Sequence, residues 1–458
     1  MTKAEAFFEN ICGKRVAICG IGTNNTPVIH QFLKAGAQVL ACDRRTEEEL
    51  GDTAVQLREA GAELCLGEDY LEHLDVDMIL RTPGMKPYLP QFEQARARGI
   101  TVTSEMELFF ELCEAPIYAV TGSDGKTTTT TIVAGLLDAG GIKTFVGGNI
   151  GRALLPYVHD MRPEDAAVIE LSSFQLTRMT QSPHVAVVTN VAPNHLDWHT
   201  DMQEYIDAKL NLVAHQKPGD RAILNRDNAI TAEYAQHCPA PVWQFSRQEP
   251  VENGCWLDKD DNIVYSENGV DTVVMNAADI KIPGVHNIEN YMAAIAAVWG
   301  KVKPESIRQF ARAFGGVAHR CELVRERNGV RWYNDSIGSS PSRTIAGLNA
   351  FHQKVILIAG GYDKHIPYDP LGPVAEEKVN AAILMGATAP AIEKAIRDCS
   401  DLPIVRVSGM EEAVKVAAEM AVEGDIVFMS PASASFDMYK NFEVRGNHFR
   451  DLVNELPE

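Results

Sequence analysis

Gly122-x-x-Gly125-Lys126-Thr127 is the part of this chain best suited to chemistry. It follows the apolar residues 116–120 and precedes a run of threonines, the order of a buried strand, a glycine-rich loop and a helix start. Glycines let backbone N–H groups close around a phosphate without Cβ clashes, and the helix N-terminus adds partial positive charge. Lys126 can reach the β- and γ-phosphates of a nucleotide, and the Thr127 hydroxyl can ligate Mg²⁺. Gly122, Ser123, Asp124, Gly125 and Thr128 complete the candidate nucleotide contacts. The strict spacing of such loops needs glycine at position 120, which is Val120, so this is a shortened form. An ordinary glycine turn with a solvated lysine is the plainer alternative.

Two further groups suit a metal. Glu170 ends the apolar run 166–170, and a strand-end carboxylate beside a phosphate loop is where a second Mg²⁺ ligand is expected. Further on comes Thr189-Asn190-Val-Ala-Pro-Asn194-His195-Leu-Asp197-Trp198-His199. Its two histidines and aspartate could hold zinc, but they lack the C-x-x-C or H-E-x-x-H setting of such sites, and a surface loop is equally open. Tyr205-Ile-Asp-Ala-Lys209 follows on a predicted helix, where a lysine taken by itself is solvated. Asn149 lies in the polar turn Gly147-Gly-Asn-Ile-Gly151.

The order of these segments resembles the Mur ligase family. Thr121-Gly-Ser-Asp-Gly-Lys-Thr127 is similar to the ATP loop of Mur ligases and folylpolyglutamate synthetases, with Asp124 where the D-glutamate branch usually has Asn. Gly147-Gly-Asn-Ile-Gly151 looks like the family's substrate-contacting turn. Gly284-Val-His286-Asn287-Ile-Glu-Asn290 resembles its GxHNxxN helix start, although Asn287 can also be read as a helix cap. His319-Arg320 resembles the pair that opens the third domain. Asn334-Asp335-Ser-Ile337-Gly-Ser339 resembles the NDS motif of the D-glutamate branch, with Ile337 in place of a lysine and Ser339 in place of a threonine. Lys364, in Gly360-Gly-Tyr-Asp-Lys364, matches a second family lysine. Ser430-Pro-Ala-Ser-Ala-Ser435, followed by Asn441-Phe442-Glu-Val-Arg445-Gly446, matches the branch's closing motif. The signatures of the lysine-adding and dipeptide-adding branches are absent.

The resemblance implies an ATP-dependent amide-bond ligase acting on UDP-N-acetylmuramoyl-L-alanine, D-glutamate and ATP. It implies two Mg²⁺ ions held by Thr127, Glu170, His195 and Lys209, the last as a CO₂-derived carbamate, with Lys126, His195 and Lys209 catalytic. Asn287, Asn290, Arg320 and Asp335 are expected on the nucleotide. Gly22, Thr23, Asn24, Asp43, Arg45, Gly84 and Asn149 are expected on the UDP substrate, and Ser339, Lys364, Ser435 and Phe442 on D-glutamate. A folate acceptor, a nucleotide-sugar oxidoreductase and a non-catalytic ATP-binding regulator are the alternatives.

The elements that must position these residues read as α/β throughout. Residues 15–22 form a strand entering Gly20-Ile-Gly22; a helix over 27–35 and a strand over 38–42 ending at Asp43 follow. This is the nucleotide-binding half of a Rossmann-like unit, with Asn25 where a third glycine would stand. A strand over 78–81 ends in a Pro83-Gly84 turn. Strands are predicted at 166–170 and 185–190, a small antiparallel patch within 242–282, and a helix over 287–299. Strands over 330–334, 355–359, 381–385, 404–407 and 426–429 with helices between them predict a mostly parallel final sheet. The expected division is a Rossmann-like N-terminal domain over 1–104, a P-loop-type central ATPase domain over 105–316 and a Rossmann-like C-terminal domain over 317–458.

The 458 residues, 45% hydrophobic and 23% charged, are ordinary for a soluble globular chain of several domains. A net charge of −20 disfavours nucleic acid and anionic membrane as partners but not a phosphorylated small molecule bound by local cations and N–H groups. Nine cysteines without a C-x-x-C pair predict free thiols in a reducing compartment. The first fifteen residues lack a long apolar core, and no stretch of about 18 apolar residues exists. A cytoplasmic monomer without membrane insertion is expected.

Overall fold

The computed structural model describes residues 1–457 apart from His73 and Asp197. Its strands form three sheets. The first has the order Glu63–Leu66, Gln38–Asp43, Arg15–Cys19, Met78–Arg81, Thr101–Thr103, all parallel. Arg15–Cys19 is central and buried from Val16 to Cys19, which is why it reads as a continuous apolar run and not an alternation. The chain leaves this strand for one side of the sheet and later returns to the other. That reversal is the switch point at which doubly wound sheets open a ligand crevice. The helix after the glycine turn is Asn25–Lys34, which places Pro27 in the first turn, where its missing N–H leaves no bond unmade.

The second sheet has nine strands: Val270–Asn276, Asn262–Glu267, Gly254–Leu257, Val242–Ser246, Arg221–Asn225, Val185–Val188, Ile117–Thr121, Ala166–Glu170 and Thr144–Gly148. Ile117–Thr121, buried throughout, lies between Val185–Val188 and Ala166–Glu170 and is parallel to both. The expected patch within 242–282 is not a separate sheet. Val242–Ser246 and Gly254–Leu257 extend the parallel sheet, and Asn262–Glu267 is antiparallel to both of its neighbours. Asn262–Glu267 and Val270–Asn276 are joined by Asn268 and Gly269 at φ 53° and 76°, the two positive values of a tight hairpin turn.

The third sheet runs Glu322–Arg327, Val330–Asn334, Ile426–Met429, Val355–Gly360, Val379–Met385, Ile404–Arg406. It is parallel except for its first strand. Sequence reading missed that strand because Glu-Leu-Val-Arg-Glu-Arg is charged and only half-buried at this edge. By compactness the chain separates into two units, 1–277 with 289–310 and 278–288 with 311–458. The first unit contains two sheets over a shared apolar core that runs from Ala4 to Tyr234. All nine cysteines are free thiols. Among the described residues no helix is long and apolar enough to cross a membrane.

Candidate active site

The phosphate loop lies between the strand Ile117–Thr121 and the helix Lys126–Ala139. Both glycines are demanded by the backbone and by space. Gly122 has φ 155°, and a Cβ there would sit 1.9 Å from Thr189 Oγ1; Gly125 has φ 78°, and its Cβ would meet Asn290 Oδ1 at 2.5 Å. The segment after Val185–Val188 straps the loop. Ser123 N–H donates to the Asn190 carbonyl at 2.9 Å, Asp124 N–H to Asn190 Oδ1 at 2.9 Å, and Thr189 Oγ1–H to the Asp124 carbonyl at 2.6 Å. Ser123 Oγ lies 2.8 Å from the Tyr205 hydroxyl. The Lys126 ammonium donates to the carbonyls of Gly122 and Ser123, both at 2.9 Å, so its charge sits over the loop. Thr127 and Thr128 are half-buried in the first helical turn. The Asp124 carboxylate is exposed to solvent. Thr129 Oγ1–H donates to Asn290 Oδ1 at 3.1 Å, which joins Asn290 to this helix.

Beneath the loop lie two buried ionisable groups. Lys209, on the helix Met202–Ala214, is 1% exposed. Its Nζ donates to the Gly122 carbonyl at 2.8 Å and to Thr121 Oγ1 at 3.3 Å, and stands 4.8 Å from the centre of the Tyr205 ring. Burial pushes its ammonium well below the ordinary value and the Lys126 charge adds to that, while Glu170 and Asp124 oppose it. Glu170 ends the strand Ala166–Glu170 and is also 1% exposed. Its Oε1 accepts from Asn149 Nδ2 at 2.7 Å, but its buried Oε2 has no hydrogen-bond partner among the described residues. A buried carboxylate oxygen without a donor is costly, and a divalent cation with oxygen ligands would satisfy it. The donors around it therefore fit Mg²⁺.

His195 is exposed, at φ 54°, with its ring 5.0 Å from that of Phe174. His199 is buried instead, its Nε2 2.9 Å from Ser173 Oγ, and burial holds its pKa down. Asp197, the third member of the zinc alternative, lies outside the described residues. Among the described residues no group of three or more His, Cys, Asp or Glu is placed to hold a metal.

In the first sheet, Gly22, Thr23 and Asn24 form an exposed turn at the switch point. Asn25 Nδ2 donates to the Gly20 carbonyl at 2.8 Å, so a side chain holds the loop where a third glycine was sought. Asp43 accepts from Ile21 N–H at 2.7 Å, and Arg45 grips the same carboxylate and the Ile21 carbonyl. Burial pushes the Asp43 carboxyl up, but the hydrogen bonds from Arg45 and Ile21 outweigh it and hold it below its usual value. Asp43 and Arg45 thus shape the turn in this structure. Gly84 is exposed and its carbonyl accepts from Trp198 Nε1–H at 3.1 Å.

In the second unit, the loops after three neighbouring parallel strands carry the other predicted residues. Asp335 and Ser339 follow Val330–Asn334, Lys364 follows Val355–Gly360 and Ser435 follows Ile426–Met429. Asp335 is buried, accepting from Ser430 Oγ–H at 2.7 Å and Cys321 N–H at 3.2 Å, and burial lifts its pKa to about 6. Arg320 is half-buried, with Nε lacking a hydrogen-bond partner among the described residues. Asn287 does not cap its helix: it lies inside His286–Val298, and its Nδ2 donates back to the Pro283 carbonyl at 2.6 Å. Lys364 is exposed, Ser339 and Phe442 are half-buried, Ser435 is buried and Ile337 is half-buried.

Arg445, quoted in the sequence motif without a role, is the hub of these loops and fully buried. Nε donates to Ser336 Oγ at 3.0 Å, Nη1 to the carbonyls of Ser433 and Ala434 at 3.1 Å, and Nη2 to the Ser336 carbonyl at 2.8 Å. Ser336 Oγ–H in turn reaches the Phe442 carbonyl at 2.8 Å. The available signal was an arginine inside an otherwise apolar and small-residue motif. The strap from Thr189 and Asn190 was likewise missed, since its contacts are set by sheet order and not by spacing.

Comparison with known proteins gives two family matches, Mur ligase middle domain over residues 120–298 and Mur ligase, glutamate ligase domain over residues 319–433. The chain is 52% identical over 463 residues to the UDP-N-acetylmuramoylalanine--D-glutamate ligase of Acetivibrio thermocellus, covering 99% of each. It is 49% identical to the enzyme of the same name from Ruminiclostridium cellulolyticum, again over 99% of each. Among solved structures, the fold is similar to UDP-N-acetylmuramate-alanine ligase MurC from Thermotoga maritima, with a TM-score of 0.58 at 15% identity over 96% of this chain and 99% of that one. MurF from Acinetobacter baumannii also gives a TM-score of 0.58, at 16% identity, over 98% of this chain and 93% of that one.

Proposed function

The chain belongs to the Mur ligase family, and from that premise we propose that it joins D-glutamate to UDP-N-acetylmuramoyl-L-alanine with ATP, in peptidoglycan precursor synthesis. It is an ATP-dependent, amide-forming ligase. We take it to act as a cytoplasmic monomer, in three functional segments: 1–104 for the UDP substrate, 105–316 for ATP and 317–458 for the amino acid.

The observation that carries this is the placement around one phosphate loop of a buried Lys209, whose ammonium burial disfavours, and a buried carboxylate oxygen of Glu170 without a hydrogen-bond partner among the described residues. In the first step an oxygen of the substrate carboxylate forms a bond to the γ-phosphorus, ADP leaves, and an acyl phosphate results. In the second step the D-glutamate amine attacks the acyl carbon, phosphate leaves and a proton is released. The N–H groups of the loop and the Lys126 ammonium bind and orient the transferring phosphoryl group. Thr127, Glu170, His195 and Lys209 would hold Mg²⁺. Bound there, Mg²⁺ neutralises phosphate charge. The neutral amine of Lys209 can take up CO₂, releasing a proton, and so become an anionic ligand. Asn290 and Asn287 are assigned to the adenine side, with Arg320 and Asp335 on the phosphates and ribose. Gly22, Thr23, Asn24, Asp43, Arg45, Gly84 and Asn149 face the UDP substrate, and Ser339, Lys364, Ser435 and Phe442 face D-glutamate.

Phosphate release tests this directly. It is expected to need both UDP-N-acetylmuramoyl-L-alanine and D-glutamate and to fall with L-glutamate; turnover with a folate acceptor and not with the UDP compound would defeat it.

A further inference from the structure

We propose that Trp198 is a positioning residue that couples the UDP-substrate turn at Gly84 to the placement of His195; this rests on the ligase function above. Gly84 and Trp198 are 114 residues apart in sequence, yet the indole N–H donates to the Gly84 carbonyl at 3.1 Å. The Trp198 ring also packs on Phe174, with centroids 4.5 Å apart, and the Phe174 and His195 rings lie 5.0 Å apart at a steep angle. The Trp198 and His199 N–H groups both donate to the His195 carbonyl, at 3.1 and 3.0 Å, closing His195 and Trp198 into one turn. The indole thus has one polar bond to the exposed glycine turn and a ring contact with Phe174, which in turn meets the histidine.

The surrounding contacts hold this bridge in place. Lys86 Nζ lies 5.8 Å from the Trp198 ring and 6.0 Å from the Tyr88 ring, and the Tyr88 hydroxyl donates to Glu204 Oε1 at 2.6 Å. Glu204 Oε2 accepts from Thr200 N–H at 2.6 Å, fixing the chain just beyond His199. A phenylalanine would fill the same half-buried place. What it would lack is the single donor aimed at the Gly84 carbonyl. An exposed turn carbonyl can bond water equally well, so the indole bond serves to order the turn more than to satisfy it.

The test uses the full chain and calorimetric titration of UDP-N-acetylmuramoyl-L-alanine and, separately, a non-hydrolysable ATP analogue. Trp198→Phe keeps the ring and removes the donor. It is expected to weaken the UDP compound roughly 3- to 10-fold, the range of one hydrogen bond, and to leave the ATP analogue unchanged. Phe174→Leu keeps the indole donor for the Gly84 carbonyl and removes the ring between Trp198 and His195. It is expected to bind the UDP compound as the wild type does while raising the Mg²⁺ concentration needed for half-maximal turnover. Wild-type affinity for the UDP compound in Trp198→Phe overturns the proposal, as do equal losses for both ligands, which mark a purely structural role. Should Trp198→Phe not fold, an unchanged Mg²⁺ requirement in Phe174→Leu overturns it. If the wild-type chain itself does not bind the UDP compound, the ligase function fails first and the coupling falls with it.

Discussion

Burial of an amine beneath a phosphate loop makes its proton easier to lose, and only the neutral amine adds CO₂. Lys209 meets that condition through burial first and through the nearby Lys126 charge second. Lys209→Ala is expected to lower kcat by on the order of 10²- to 10³-fold, as loss of one preorganised charge-stabilising group does. Added short-chain carboxylic acids should restore part of the rate; no recovery with an otherwise folded variant would count against the carbamate. Glu170→Gln separates the metal role from packing. It removes the charge on a buried oxygen that has no partner among the described residues, so the metal-free protein should melt at the same or a higher temperature. The half-saturating Mg²⁺ concentration should rise about 10- to 100-fold, and calorimetry should show the same loss. Asp335 has a pH signature. Its folded pKa, about 6, lies above the ordinary 3.8, so the folded state holds its proton longer than the unfolded state. Stability from this group is then complete below pH 4 and falls as pH rises toward 6, an order-of-magnitude cost of about 3 kcal/mol. Asp335→Asn should flatten that slope in denaturant titrations across pH 4 to 6.

Among the elements, the loops after parallel strands are where sequence and structure agree best. The run 116–120, the glycines and Lys126 announced the phosphate loop because a buried parallel strand is continuously apolar and a tight phosphate turn needs glycine. Glu170 was legible for the same reason, as the first polar residue after an apolar strand. Lys209 was not: alone, a helical lysine reads as solvated, and only the neighbouring motifs reversed that. The edge strand Glu322–Arg327 escaped because its charges suit a half-exposed edge, and the hairpin at Asn268 and Gly269 could be placed in a sheet only once its parallel neighbours were known. Arg445 belongs to this scale, since it ties the loops around Ser336, Ser433 and Ala434 by hydrogen bonds from one buried guanidinium. Lysine keeps the charge but not the fork, so Arg445→Lys is expected to destabilise the second unit by about 1.5–3 kcal/mol and to raise the KM for D-glutamate before that for ATP. Unchanged melting and unchanged KM would show that these loops hold themselves.

For the whole molecule, a net charge of −20 is compatible with binding an anion where cations are local, as Lys126 is at the phosphate loop and Arg45 at the first turn. The alternation of strand and helix made three sheets legible, while the grouping of the first two over one apolar core depended on contacts between residues far apart in sequence. In the proposed reaction, phosphoryl transfer to a carboxylate precedes amide formation. UDP-N-acetylmuramoyl-L-alanine carrying ¹⁸O in both oxygens of its terminal carboxylate, supplied with ATP, Mg²⁺ and D-glutamate, tests it through mass spectrometry of the released phosphate. An acyl phosphate leaves one labelled oxygen in each phosphate and the other in the amide. Unlabelled phosphate released alongside amide would contradict it.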